Sequence, residues 1–156
     1  ELFRLALRIT LNRAEAEDVV QETLIKVWNR REQWDEIESI EAFCLTICRN
    51  IALDKTRKMG SLAQSLDDNH DTADLSYASN PEEQAMQADR IALIRRLIDL
   101  LPEKQRSIML LRETEGKSYK EIAAVMGISE EQVKVNLFRA RQTIKQRYIE
   151  TDSYGL

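Results

Sequence analysis

The chain is predicted to be all-α, as two small helical domains joined by a flexible linker. Three observations lead there. Apolar residues recur at helical spacing through most of the 156 residues, and no run alternates as a strand would. Helix breakers are sparse, with four Gly and two Pro. A stretch rich in Ser, Asp, Asn and Ala, residues 59–81, lacks any apolar period and divides two periodic halves. The divisions are 1–58 for the first domain, 59–81 for the linker, 82–149 for the second domain and 150–156 for a frayed tail.

The elements follow in order. Leu2, Phe3, Leu5, Ala6 and Ile9 mark a first helix to about Leu11, already under way at Glu1, so its beginning is expected to be missing. After a turn at Asn12 and Arg13, a second helix runs from about Ala14 to Arg31. Its apolar stripe is Ala16, Val20, Leu24 and Val27, and its polar face Glu17, Asp18, Gln21, Glu22, Lys26 and Arg30. The short segment Gln33–Glu38 leads to Ser39, a cap for a third helix ending near Lys58. Ile40, Phe43, Cys44, Ile47, Cys48 and Ile51 are its expected buried stripe.

The second half opens at Pro81 with a helix to Leu101, carrying Ile91, Ile94, Leu97 and Ile98. Pro102 ends it and starts the next helix, Glu103 to Glu115, with Gly116 as C-cap. Ser118 caps a short helix, Tyr119 to Met126. Gly127 and Ile128 make a turn, and Ser129 caps a last helix to about Tyr148.

Composition excludes several classes. No apolar run approaches the roughly 20 residues that cross a bilayer, and no charged-then-apolar leader is expected; the compartment expected is the cytoplasm. Cys44 and Cys48 are too few for a disulfide framework and lack partners for a zinc site, so both are expected to pack as small hydrophobes. His70, among Asp67, Asp68, Asn69 and Asp71, reads as a solvated loop residue. No Gly-rich phosphate loop, activated nucleophile or metal set is present, so neither an enzyme nor a cofactor is expected.

Net charge is −4, but it is unevenly placed. Residues 59–81 hold four Asp and no basic side chain, whereas 132–147 hold Lys134, Arg139, Arg141, Lys145 and Arg147 and no acid. That basic run lies on the second helix of a helix-turn-helix pattern. Ala123 is small where two helices cross, Gly127 allows the left-handed turn, and Val133 returns to the core with Ile122, Val125, Ile128 and Leu137. A recognition helix puts its N-terminal part against base edges. Gln132, Lys134, Val135, Asn136, Phe138 and Arg139 occupy it, with Arg141, Lys145 and Arg147 further along toward phosphates. Five phosphate contacts would give a salt slope of at most about −4.5, a weak binder when alone.

Two signatures in order resemble a known family. Leu101-Pro102-Glu103-Lys104-Gln105-Arg106, Leu111-Arg112-Glu113, Ser118-Tyr119-Lys120-Glu121-Ile122-Ala123, Val133-Lys134 and Arg139-Ala140-Arg141 resemble region 4 of sigma-70 factors. Ala16-Glu17-Asp18-Val19-Val20-Gln21-Glu22-Thr23 with Trp28, and Arg49-Asn50-Ile51-Ala52-Leu53-Asp54-Lys55 through Arg57-Lys58, resemble region 2. With no globular region between them, the pattern is similar to the extracytoplasmic-function (ECF) group. The resemblance implies a polymerase subunit that selects promoters. Asp18, Gln21, Glu22 and Lys26 would grip the clamp helices of the polymerase's largest subunit, and the flap would take region 4. Asn50, Asp54, Lys55, Arg57 and Lys58 would face melted −10 DNA. Trp34 stands either at a pocket for an extruded base or as a lid on the core. Lys134, Val135, Phe138 and Arg139 match −35 reading positions, while Gln132 and Asn136 depart from common residues there and leave the promoter sequence open. The acidic linker would mimic RNA phosphates in the exit path, and an anti-sigma partner is implied.

The rival reading is a free-standing helix-turn-helix regulator. It would need a dimer surface or sensor domain that the first half does not offer, and size-exclusion chromatography separates the two. A pure interaction protein is the third reading, against which the basic recognition helix argues.

Overall fold

The computed structural model describes residues 1–60 and 80–154, and among these there are helices and no strand. Residues 61–79 of the acidic segment, with His70 and the four Asp, therefore lie outside the described residues, while 59 and 60 continue α3 and Pro81 opens α4. Helix α1 spans Leu2–Thr10, α2 Arg13–Asn29 and α3 Ile40–Gly60, with a 3₁₀ segment at Arg31–Glu36. In the second half, α4 is Pro81–Asp99, α5 Glu103–Met109, α6 Tyr119–Met126 and α7 Glu130–Tyr154. A π-helical turn, Leu110–Thr114, extends α5.

Local chemistry sets most of these boundaries. Leu11 adopts φ 54° and its N–H donates to the Leu7 carbonyl, closing α1; Asn12 then accepts the Glu15 N–H at 3.0 Å and opens α2. Ser39 accepts from the Ala42 N–H at 3.2 Å. Ser118 and Glu121 form a reciprocal capping box, and the Ser118 amide holds the Glu121 carboxyl below its usual range. Ser129 and Gln132 repeat the arrangement at the start of α7. Gly127, at φ 65°, turns the chain between α6 and α7.

Helices α1, α2 and α3 pack on one another, and α4, α5 and α6 each pack against α7. Both expected units are thus present. They are not separate in space, because α3 packs against α6 and α1 against the π-helical turn. A single core cluster runs through both halves, from Leu5, Ala16 and Leu45 to Ile108, Ile122 and Leu137. Thr46 on α3 donates to the Val125 carbonyl at the end of α6, at 3.2 Å.

Three expectations need correction. In α2 the buried stripe is Ala16, Val19, Thr23 and Val27, while Leu24 is exposed. Thr23 can be buried because its hydroxyl donates to the Val19 carbonyl at 2.7 Å. In α3, Leu45, Cys48, Ile51, Ala52 and Leu53 are the buried residues and Ile40 is exposed, because the helix is covered from two sides. Finally, residues 150–154 continue α7 instead of fraying. Thr151 and Ser153 hydroxyls donate back to the carbonyls of Arg147 and Ile149 there.

Cys48 is buried, with Sγ 3.5 Å from the Leu2 carbonyl, and Cys44 is half-buried. Burial pushes the Cys48 thiol up to about 11 and raises Cys44 as well. At pH 7 only about one Cys48 in ten thousand would be thiolate, the reactive form. We expect a maleimide to label Cys48 of the native chain far more slowly than that of the denatured chain, as followed by mass spectrometry.

Candidate nucleic-acid interface

Helix α7 has two faces. Val133, Leu137 and Ala140 enter the core at spacings of four and three residues. At roughly 100° per residue, Lys134, Phe138, Val135 and Arg139 then share an outward arc of roughly 140°. All four are exposed, Phe138 to 65%. An aromatic ring so open on a helix anchored by its other face is poorly explained by folding alone, because water contact on that area stabilises nothing.

The remaining residues expected at this site are partly engaged elsewhere. The Gln132 side chain accepts from the Ser129 N–H, and Asn136 Nδ2 donates to the Gln132 carbonyl at 2.7 Å. Arg141 donates to Glu113 at 2.6 Å, and that hydrogen bond raises its guanidinium above the ordinary range. Arg147 donates to the Leu100 carbonyl at 3.4 Å. Two further residues were not foreseen. Tyr119, at the start of α6, has Arg112 over its ring at 4.9 Å and the Lys134 ammonium at 5.9 Å. The ring draws Lys134 toward α6. Only side-chain stacking across the turn reveals this, so linear spacing carried no signal for it. With Arg141 paired to Glu113 and Arg147 to the Leu100 carbonyl, fewer than five of these cations are open to phosphates, and we expect a salt slope shallower than about −4.5 in a DNA titration by fluorescence anisotropy.

The first half displays a second surface. Asn50, Asp54, Arg57 and Lys58 are exposed along the C-terminal half of α3, and Lys55 is half-buried. Asp54 lies 3.9 Å from Arg57, Lys55 lies 3.7 Å from Glu15, and Arg49 donates weakly to Asn50 at 3.5 Å. Trp34 is half-buried in the 3₁₀ segment. Its indole N–H donates to the Val27 carbonyl at 3.0 Å, and its ring meets Trp28 edge-on at 6.0 Å. Trp34 is thus held in place by α2 while α3 carries the other five residues.

On α2, Asp18, Gln21 and Lys26 are exposed and Glu22 is half-buried, with Glu22 and Lys26 paired at 3.5 Å. Beside them stand exposed Leu24, Ile25 and Trp28. Of these, periodicity places Leu24 inward, since spacing alone cannot say which arc meets water. In the second half a cavity of about 560 Å³ opens between α4, α5 and α7, lined by Ile94, Ile98, Met109, Ile144, Tyr148 and Ile149.

Comparison with known proteins agrees with this layout. The family model for sigma-70 region 2 matches residues 1–61, and that for sigma-70 region 4 matches residues 91–144. A probable RNA polymerase sigma factor, RfaY of Xanthomonas campestris, is 30% identical over 94% of this chain, which spans 37% of that protein's length. The ECF RNA polymerase sigma factor SigL of Mycobacterium tuberculosis is 32% identical over 92% of this chain and 80% of its own length. Among solved structures, the sigma factor RpoE of Bartonella quintana, in complex with the anti-sigma factor NepR, superposes with a TM-score of 0.68 at 23% identity, covering 93% of this chain and 88% of that one. Two sigma regions in the expected order, on the expected helices, lead to one conclusion: the chain belongs to the sigma-70 family of RNA polymerase sigma factors, in its ECF group.

Proposed function

We propose that this chain directs core RNA polymerase to two-element promoters and starts transcription there, as a specificity subunit and not as an enzyme. The observation that carries the reading is the outward face of α7. Lys134, Val135, Phe138 and Arg139 project from a helix whose other side is locked in the core. Lys134 and Arg139 suit guanine acceptors, and Val135 and Phe138 suit thymine methyls, in the −35 element. Gln132, Asn136 and Arg141 flank that set.

Asn50, Asp54, Lys55, Arg57 and Lys58 read the −10 element, with Trp34 stacking on an unpaired base. Such stacking contributes about 1–3 kcal/mol and offsets much of the cost of extruding the base. Asp18, Gln21, Glu22 and Lys26, with the apolar Leu24, Ile25 and Trp28, take the polymerase clamp helices. The flap docks on the second half. The likeness to a sigma factor crystallised with NepR supports an anti-sigma partner for this chain as well. No helix among the described residues is long and apolar enough to cross a membrane, and the cytoplasm is the compartment we assign. The domain limits of 1–58, 59–81 and 82–149 belong to the same proposal.

The test is transcription in vitro. Purified core polymerase with this chain should start at a specific site on a promoter selected from random sequence. If core polymerase starts identically with and without the chain, the reading fails.

A further inference from the structure

Lys134 has two carboxylates within reach on its own helix and takes neither. Glu130 stands four residues before it and Glu131 three, both exposed. Glu followed by Lys at a spacing of four is the order that most favours pairing on a helix surface. Among the described residues, however, no carboxylate pairs with Lys134, and its ammonium lies over the Tyr119 ring, 5.9 Å from the centre. That ring is itself held. Tyr119 follows the cap residue Ser118 at the start of α6 and packs, half-buried, against the core cluster. The Arg112 guanidinium lies 4.9 Å from the ring centre, and Arg112 Nη1 is anchored by donating to the Lys117 carbonyl at 2.8 Å. The ring is therefore the fixed partner and Lys134 the one that moves to it.

The choice of partner matters for chemistry. A carboxylate would neutralise the ammonium and occupy its donors, and DNA would have to break that pair. An aromatic face attracts a cation without a counter-charge, so the ammonium keeps its charge for a base edge. Magnitudes favour the ring as well. A cation over an aromatic face at an exposed site is held by a factor of about two to five, and a Glu–Lys pair along a helix by about 1.5 to two. We propose that Tyr119 is a positioning residue for the upstream promoter element: its ring withholds Lys134 from Glu130 and presents the charged ammonium to guanine acceptors, an assignment that rests on the promoter-reading function proposed above. Tyr119 needs no contact of its own with DNA for this role.

Two measurements on the full chain test it, with circular dichroism to follow melting. In nuclear magnetic resonance spectra of the free chain, the ring current should shift the Lys134 ε-methylene protons upfield of those of other lysines. The signal is identified as the one that Lys134→Ala removes. Tyr119→Phe should keep the shift and Tyr119→Leu should abolish it. In transcription by core polymerase from templates randomised at the upstream element, Tyr119→Leu should lower use about two- to fivefold, at the base positions that Lys134→Ala also alters. Tyr119→Phe should match wild type. Tyr119→Leu should add nothing to Lys134→Ala, and Glu130→Gln should restore use to Tyr119→Leu. An unshifted Lys134 signal in the wild type overturns the proposal, and this result needs no change at Tyr119 should Tyr119→Leu melt early. A loss in Tyr119→Phe equal to that in Tyr119→Leu overturns it too, since the hydroxyl would then be touching DNA. A loss that persists in the Lys134→Ala background, or that Glu130→Gln leaves in place, shows a packing role only and overturns it. If the wild type selects no start site, the functional reading falls and the reading role of Tyr119 with it, while the upfield shift still decides whether the ring holds Lys134.

Discussion

Lys134→Ala and Arg139→Ala will each weaken use of the upstream promoter element about 10- to 100-fold, the equivalent of roughly 1–3 kcal/mol for a lost base contact. Both side chains leave the exposed arc of α7, so truncation opens no cavity. Val133, Leu137 and Ala140 still anchor the helix, and surface changes of this kind stay within about 0.5 kcal/mol of wild-type stability. Loss of promoter use with an unchanged melting temperature is therefore the expected signature. Asp54→Ala should do the reverse, sparing the upstream element and weakening the downstream one, because Asp54 is exposed on α3 with only a 3.9 Å approach to Arg57. Transcription from templates altered at one element at a time measures each effect. Unchanged promoter choice in all three variants would refute the assignments.

Leu111→Ala will cost about 2–5 kcal/mol, the range for a leucine removed from a packed interior. Leu111 is fully buried in the π-helical turn, and its carbonyl accepts the Lys117 N–H at 3.0 Å. Domains of this size are stable by about 5–15 kcal/mol in total, so the variant should melt well below wild type. Its effect should reach both halves, because one core cluster joins Leu111 to Leu5 and Leu45. Calorimetry at low salt should show one transition, shifted as a whole. Leu24→Ala makes the contrast: that leucine is 53% exposed, and its loss should leave the transition within about 0.5 kcal/mol.

The two leucines show what was readable in the sequence and what was not. Helix ends were legible because caps are local: Asn12, Ser39, Ser118, Gly127 and Ser129 act within a few residues of themselves. The outward face of α7 was legible for the same reason, since a basic run with an apolar counter-stripe declares both sides. The inward faces of α2 and α3 were not. Leu24 looks like core and Thr23 does not, yet a hydroxyl that bonds its own helix is buried while the leucine stands in water. On α3, the expected stripe missed Leu45 and Ala52 because the helix is packed from both sides and has no single arc. Nothing local in the sequence marks Lys117 as buried. Its partners Glu1 and Glu41 are 116 and 76 residues away, and only the folded chain brings them near.

Those long separations also have a timetable. A ribosome adds about 5–20 residues per second, and Glu115 follows Arg4 by 111 residues. Arg4 is therefore made roughly 5–20 s before Glu115, its hydrogen-bond partner, and the end of α3 at Gly60 roughly 3–12 s before the start of α6 at Tyr119. During that interval the faces of α1 and α3 that later pack on the second half have no partner within the chain.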